Sequence, residues 1–329
     1  MILPSRPRRC IARRLTAAGI LLVGLAGCAT PQLQALVARD SAGLPQRVEL
    51  DGVPFHAQAD FQCGPAALAM VLGAAGKPIE PEALRPQVYL PGRQGSLQVE
   101  MLAAARRNGF VAIELKPSLS DLLAEIAAGN PVIVLQNLAL DWYPVWHYAV
   151  AIGYDLDENS ITLRSGNERR LELPLSTFER TWLRSGYWAM LALPPRRLPA
   201  GVAAADYLGA VARLEKAGSL EAAQAAYETA LERWPANLTA LIGLGNTAYH
   251  LGDFEGAEGA FRRAISVHPS SAAAHNNLAQ ALMELGRDDE ALAEARVAVG
   301  LGGPLEDVSV RTLDTIVSRA GRGAQEWHQ

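Results

Sequence analysis

Gln62-Cys63-Gly64-Pro65-Ala66-Ala67-Leu68 sets a cysteine at the opening of a helix. Pro65 is tolerated near a helix start, where its missing N–H has no intrahelical partner. Gly64 lets another part of the chain approach the backbone closely. The apolar run from Ala66 to Leu72 predicts a helix that packs against a sheet. The chain has three cysteines: Cys10 lies in an N-terminal leader, Cys28 falls in a sequence expected to be acylated, and Cys63 is left as a lone thiol. In an exported protein such a thiol is either buried and inert or kept for its chemistry. Cysteine attacks as the thiolate, and the free N–H groups of a first helical turn favour an anion. Cys63 is therefore a candidate nucleophile.

Upstream, Arg6, Arg8, Arg9, Arg13 and Arg14 precede an apolar stretch over residues 15–27 that is too short to span a bilayer as a helix. It ends in Leu25-Ala26-Gly27-Cys28, which resembles the lipobox of bacterial lipoproteins. That resemblance implies removal of residues 1–27, acylation of Cys28 and membrane attachment by the lipid alone. Ala29, where a retention signal would place Asp, implies the outer membrane with the protein facing the periplasm. The formal net charge is −4, and loss of the arginine-rich leader makes the chain more acidic still. No Lys/Arg run is left, which argues against a nucleic-acid partner.

Residues 28–47 read as a tether and 48–193 as one mixed domain. Within it a strand is expected near Val48-Pro54, then the Cys63 helix, a helix over 96–108 stopped by Gly109, and a helix over 119–128 capped by Ser118. After these the period changes. Pro131-Val132-Ile133-Val134-Leu135 reads as a buried strand. So does His147-Tyr148-Ala149-Val150-Ala151-Ile152-Gly153-Tyr154; 155–159 is a polar turn, 160–164 its hairpin partner, and 187–193 a last strand. Helices first and an antiparallel sheet later is an α+β order. Residues 194–201, opening Pro194-Pro195-Arg196-Arg197, read as a linker.

Beyond residue 200 one period dominates. Gly218, Gly252 and Gly286 recur every 34 residues, as do Ala223, Ala257 and Ala291, and Tyr227, Phe261 and Ala295. Pro235 and Pro269 close the first two units. This resembles the tetratricopeptide repeat, two antiparallel helices per unit, three of which over 202–303 stack into one all-α solenoid. Residues 304–329 supply a capping helix and tail. The first helices of the second and third units place Asn246, Tyr249, Asn276 and Gln280 where such repeats form a concave peptide groove; the same residues could equally cover the stacked core.

A thiol nucleophile needs a base. Of six histidines, His250, His268 and His275 fall in the repeats and His328 in the tail. His147, opening an apolar strand, is favoured over His56, seven residues before the thiol in an irregular segment. Gln58-Ala59-Asp60-Phe61-Gln62-Cys63-Gly64-Pro65-Ala66-Ala67-Leu68-Ala69-Met70 resembles the nucleophile region of the bacteriocin-processing cysteine peptidases, a papain-like superfamily. Gly95-Ser96-Leu97, Gly129-Asn130-Pro131-Val132-Ile133-Val134 and the His147 strand resemble later blocks of that domain in the same order. The resemblance implies a papain-like α+β fold over 48–193, Cys63 as nucleophile, His147 as general base and then acid, and Gln58 as oxyanion donor with the Cys63 N–H, Gln62 being the competing donor. The family's orienting Asp is missing from Leu163-Arg164-Ser165-Gly166-Asn167. Folding the hairpin about Asp157 sets Asn167 opposite His147, whereas Ser165 holds the aligned position. Either could orient the imidazole, or another residue or none does.

No spacing in this domain suggests a metal site, no glycine-rich loop suggests a phosphate cofactor, and none is expected. The expected partners are a peptide or protein substrate at Cys63 and a protein partner at the repeats. Hydrolysis of a peptide bond is the leading reading. A non-catalytic peptide-binding scaffold and acyl transfer from the same thioester are the alternatives.

Overall fold

The structure is a computed structural model that describes residues 30–38, 43–58 and 62–326. The leader over 1–27 and the acylation expected at Cys28 lie outside the described residues. In chain order the elements are α1 (Pro31–Ala38), β1 (Arg47–Glu49), α2 (Cys63–Ala74), α3 (Pro81–Val88), β2 (Tyr89–Leu90), β3 (Gly95–Ser96), α4 (Gln98–Arg107), β4 (Val111–Glu114), α5 (Leu119–Ala127), β5 (Val132–Asn137), β6 (Trp146–Asp155), β7 (Ser160–Ser165), β8 (Glu168–Pro174), α6 (Leu175–Leu183) and β9 (Ala189–Leu193). The helices α7 (Ala204–Lys216), α8 (Leu220–Arg233), α9 (Leu238–His250), α10 (Phe254–Val267), α11 (Ala272–Glu284), α12 (Asp288–Leu301) and α13 (Glu306–Glu326) follow. An α+β domain thus precedes a run of helices.

One antiparallel sheet runs in the order β4-β9-β5-β6-β7-β8, and β1 pairs with the far end of β6. Every residue of β5 is buried. Its alternation explains why the sequence reads as a continuous apolar run: Val132 and Val134 enter one core, Ile133 and Leu135 the other, because both faces of the sheet are covered. α2, α4 and Val88 of α3 pack on one face together with Tyr148, Val150 and Ile152. α5 and α6 pack on the other, with Ala149, Ala151, Ile161 and Leu163. α2 is apolar on all sides and buried from Gly64 to Leu72, as befits a helix enclosed by sheet and helices.

The helix expected over 96–108 begins later, at Gln98, because Gly95 and Ser96 pair with Tyr89 and Leu90. Ser118 does cap α5, its Oγ accepting the Asp121 N–H at 3.2 Å. α3 and α6 were not anticipated from the sequence, although Pro81 at the first helical position is the usual start signal.

Neither the tether nor the linker hangs free where it is described. α1 docks on α5 and α6: buried Glu179 accepts the N–H groups of Gln32 and Leu33, both at 2.9 Å, and satisfies two orphan donors of the helix start. In the linker, the Ala200 N–H donates to Glu125 Oε1 at 2.9 Å and Arg197 Nη2 to the Ala128 carbonyl at 2.7 Å. α7 then packs against β4, and one apolar core runs from the sheet through α5 and α6 into α7, α8 and the start of α9. The first repeat is joined to the α+β domain by this shared core. Among the described residues no helix is long and apolar enough to cross a membrane.

Candidate active site

Cys63 is the first residue of α2, half-buried and unpaired in any disulfide. Gln62 stands at the N-cap without a side-chain cap bond. The helix start is wedged against β3: a Cβ on Gly64 would lie 2.3 Å from Ser96 Oγ, so the first turn can come this close only with glycine there. Burial pushes the Cys63 thiol up, above its ordinary range, and outweighs the opposing pull of backbone hydrogen bonds from Tyr148, Gly64 and Cys63 itself. The ionising effect expected from the helix start is thus present but smaller than the cost of desolvation. α2 packs on β6, and Cys63 joins the apolar cluster that holds Tyr148, the residue after His147.

His147 is the second residue of β6, and its Nε2 lies 2.9 Å from Ser165 Oγ at the end of β7. Burial holds the imidazole below its ordinary value, so it resists protonation. The β6–β7 ladder pairs Val150 with Arg164 and Ala151 with Leu163. Extended outward, it sets Ser165 across from Ala149, which makes His147 and Ser165 diagonal neighbours on one face. Continued further, it would bring Asn167 opposite His147, as expected from the sequence. The structure corrects that expectation: β7 ends at Ser165, the chain turns at Gly166, and Asn167 is exposed in the turn before β8. His56 pairs with Glu80 at 3.8 Å.

Gln58 ties the two strands together. Its N–H donates to the Gly166 carbonyl at 3.1 Å, its Oε1 accepts the Gly166 N–H at 2.9 Å, and its Nε2 donates to the Tyr148 carbonyl at 3.3 Å. Arg164 is buried on the other face of the hairpin and donates to the Val53 carbonyl at 3.0 Å, which fastens the segment leading to Gln58.

Sequence reasoning did not single out Tyr148. Its hydroxyl donates to the Ser96 carbonyl at 3.2 Å and its ring meets Trp188 edge-on at 5.7 Å. Burial, and then the charge of Cys63, push its ionisation well up, so the phenol stays protonated beside the thiol. The signal was its place in the strand: it follows His147 and alternation turns it to the α2 face. Among the described residues no group of three or more His, Cys, Asp or Glu is placed to hold a metal ion.

In the repeats, Asn277 donates to Asn246 at 2.9 Å, Tyr249 to Glu284 at 3.3 Å and Gln280 to Thr312 of α13 at 3.2 Å. Asn246, Tyr249 and Gln280 are half-buried. Asn276 is only 3% exposed, which corrects its assignment to an open groove: it belongs to the packed interior of the stack.

Residues 50–190 match the Peptidase_C39 like family, and residues 208–266 and 251–304 match the tetratricopeptide repeat. No curated protein matches the chain. Among solved structures, a putative C39-like peptidase from Bacillus anthracis is 21% identical with a TM-score of 0.39, covering 45% of this chain and 98% of its own. The first tetratricopeptide domain of Spaghetti (RPAP3), bound to an HSP90 peptide, is 18% identical with a TM-score of 0.34, over 36% of this chain and 93% of its own. The first such domain of human RPAP3 is 18% identical with a TM-score of 0.35, over 37% and 95%. The α+β domain thus resembles the Peptidase_C39 like family over residues 50–190, and the helices that follow match tetratricopeptide repeats.

Proposed function

We propose that this chain is a thiol peptidase, tethered by a lipid on Cys28 to the periplasmic face of the bacterial outer membrane, whose repeats recruit a protein substrate or partner. The observation that supports the catalytic part is the arrangement around β6: Cys63 opens a helix that packs on this strand and joins the apolar cluster of Tyr148, and the adjacent His147 is held through Nε2 by Ser165 at 2.9 Å. With Nε2 carrying its hydrogen to Ser165 Oγ, Nδ1 keeps the lone pair that can take a proton from sulfur.

Burial favours a neutral thiol and a neutral imidazole, so the proton moves as sulfur attacks. The sulfur–carbon bond forms at the scissile carbonyl and Nδ1 takes the thiol proton. The oxyanion is met by the Cys63 N–H and the side-chain amide of Gln58, with Gln62 as the competing donor. The imidazolium then protonates the departing amine as the carbon–nitrogen bond breaks. Water adds to the thioester, the acid leaves, and the proton returns to sulfur. A serine partner suits this sequence, because imidazolium exists only in passing.

The same serine favours a second reading, a peptide-binding scaffold, since a neutral partner stabilises imidazolium less than the family's carboxylate. One experiment separates them. The purified chain is incubated with a mixture of denatured periplasmic proteins, and new N-termini are read by mass spectrometry. Cleavage that disappears in both Cys63→Ala and His147→Ala supports the peptidase. Fragments that persist in those variants, or their absence from all samples while peptides are retained on the repeats, would falsify it in favour of the scaffold.

A further inference from the structure

The turn between β5 and β6 is an ordered projection. Asn137 closes its neck: Oδ1 accepts the N–H of Ala139 at 3.1 Å and of Val145 at 3.0 Å, and Nδ2 donates to the Leu140 carbonyl at 3.3 Å. The Leu138 N–H donates to the Val145 carbonyl at 2.9 Å, and Tyr143 turns back on Leu140 at 3.0 Å. Yet the side chains of this tip face water. Leu138, Leu140, Trp142, Tyr143, Val145 and Trp146 are all exposed, Trp142 at 81% and Tyr143 at 68%. Asp141 is the one charge between Gln136 and His147, and no cation is present there.

Apolar surface held in water costs free energy in proportion to its area, and a contiguous patch of it marks a partner. A groove would enclose its aromatic residues; exposures as high as these describe a prominence. Tryptophan and tyrosine, with an apolar body and a polar edge, settle at the boundary between lipid headgroups and acyl chains.

The N-terminal end of the described chain is fastened to the same helix as the tip. On α6, Glu179 holds the start of α1 and Thr181 accepts from Gln136 Nε2 at 2.6 Å, and Arg184 at its C-cap donates to the Asn137 carbonyl at 3.2 Å. Glu179 and Arg184 are separated by about 7.5 Å of helix rise. Leu183, one turn beyond Glu179 on the same side of α6, is exposed as well. Cys28 precedes Thr30, which is only 9% exposed, by two residues, a reach of about 7 Å. A bilayer that holds Cys28, or the apolar stretch 15–27, therefore has little slack before it meets this end of the domain.

We propose that the hairpin tip, residues 138–146, is a membrane-binding element that enters the surface of a lipid bilayer beside the N-terminal anchor. The inference rests on the anchoring part of the function proposed above and goes beyond its catalytic part. The partner is an uncharged lipid surface, because the tip has no cation with which to seek anionic headgroups. Insertion turns the His147 end of β6, and the candidate site with it, toward the membrane.

The test uses the full-length protein reconstituted in phosphatidylcholine vesicles with brominated acyl chains, which quench tryptophan emission only at bilayer depth. Wild type is compared with the double variant Trp142→Phe, Trp146→Phe, whose fold is checked by far-ultraviolet circular dichroism. The expected result is quenching in the wild type that falls at least twofold in the variant and does not change with salt. Equal quenching in the two proteins overturns the proposal. So does an unquenched wild type whose peptide cleavage is lost in the variant, which would make the tip a substrate grip. The mass of the N-terminal peptide reads the anchor separately: an unmodified Cys28 with quenching retained sinks the lipidation and keeps the tip, and an acylated Cys28 without quenching does the reverse.

Discussion

His147 Nε2 and Ser165 Oγ stand 2.9 Å apart at the ends of two neighbouring strands, and in the proposed mechanism this bond leaves Nδ1 to serve the thiol. In the proposed mechanism Ser165 positions the imidazole. Ser165→Ala is expected to lower kcat/KM about tenfold, the worth of one hydrogen bond in a buried site, with KM little changed. Ser165→Asn, which restores an acceptor, is expected to recover most of it. Steady-state kinetics on a cleaved peptide check this; equal activity in Ser165→Ala and wild type contradicts the role.

Cys63 is held protonated by burial, and this has an alkaline consequence. Its pKa is higher folded than unfolded, so it contributes stability that is complete below the unfolded value and lost as pH rises through the folded one. Urea midpoints of wild type should therefore fall with rising alkaline pH more steeply than those of Cys63→Ala. Iodoacetamide should label the native thiol at a rate that is still climbing where the urea-unfolded thiol has already reached its plateau.

The acid side belongs to His147. Its folded value lies below its ordinary one, so below about pH 6.5 the unfolded chain takes up the proton first. The stability this neutral imidazole supports is complete above that pH and is lost as pH falls toward the folded value. His147→Gln should remove that share of the acid loss, read as a flatter dependence of Tm on pH.

Gly64 and Ser96 are packed too closely for a methyl group. Gly64→Ala should destabilise by about 1–3 kcal/mol, as overpacking does. Because both Ser96 Oγ and Cβ lie within 3 Å of the added carbon, Ser96→Ala should not relieve the strain and Ser96→Gly should. Urea unfolding of the double-mutant cycle measures the coupling, and additive effects would contradict it.

Glu179 anchors α1 through two backbone N–H groups. Glu179→Ala leaves both donors without their partner and should cost about 1–3 kcal/mol. Hydrogen exchange should accelerate first over residues 31–38. Unchanged protection there would show that apolar contacts alone hold the helix.

The sequence alone determined that helices precede an antiparallel sheet, the 34-residue period of the repeats and the place of Cys63 and His147 at the openings of a helix and a strand. These are local: each rests on side-chain periodicity or on turn chemistry within a few residues. What tertiary structure alone decided is non-local. Whether Ser165 or Asn167 meets His147 depends on where the ladder stops, and one residue of turn settles it. Whether Cys63 ionises depends on how deeply it is enclosed, and desolvation there exceeds the helix-start field. α1 docks because Glu179, far along the chain, arrives beneath its first turn, and Asn276 is sealed because successive helices close over it. Burial and cross-chain hydrogen bonds are properties of the assembled packing, and no short stretch of residues carries them.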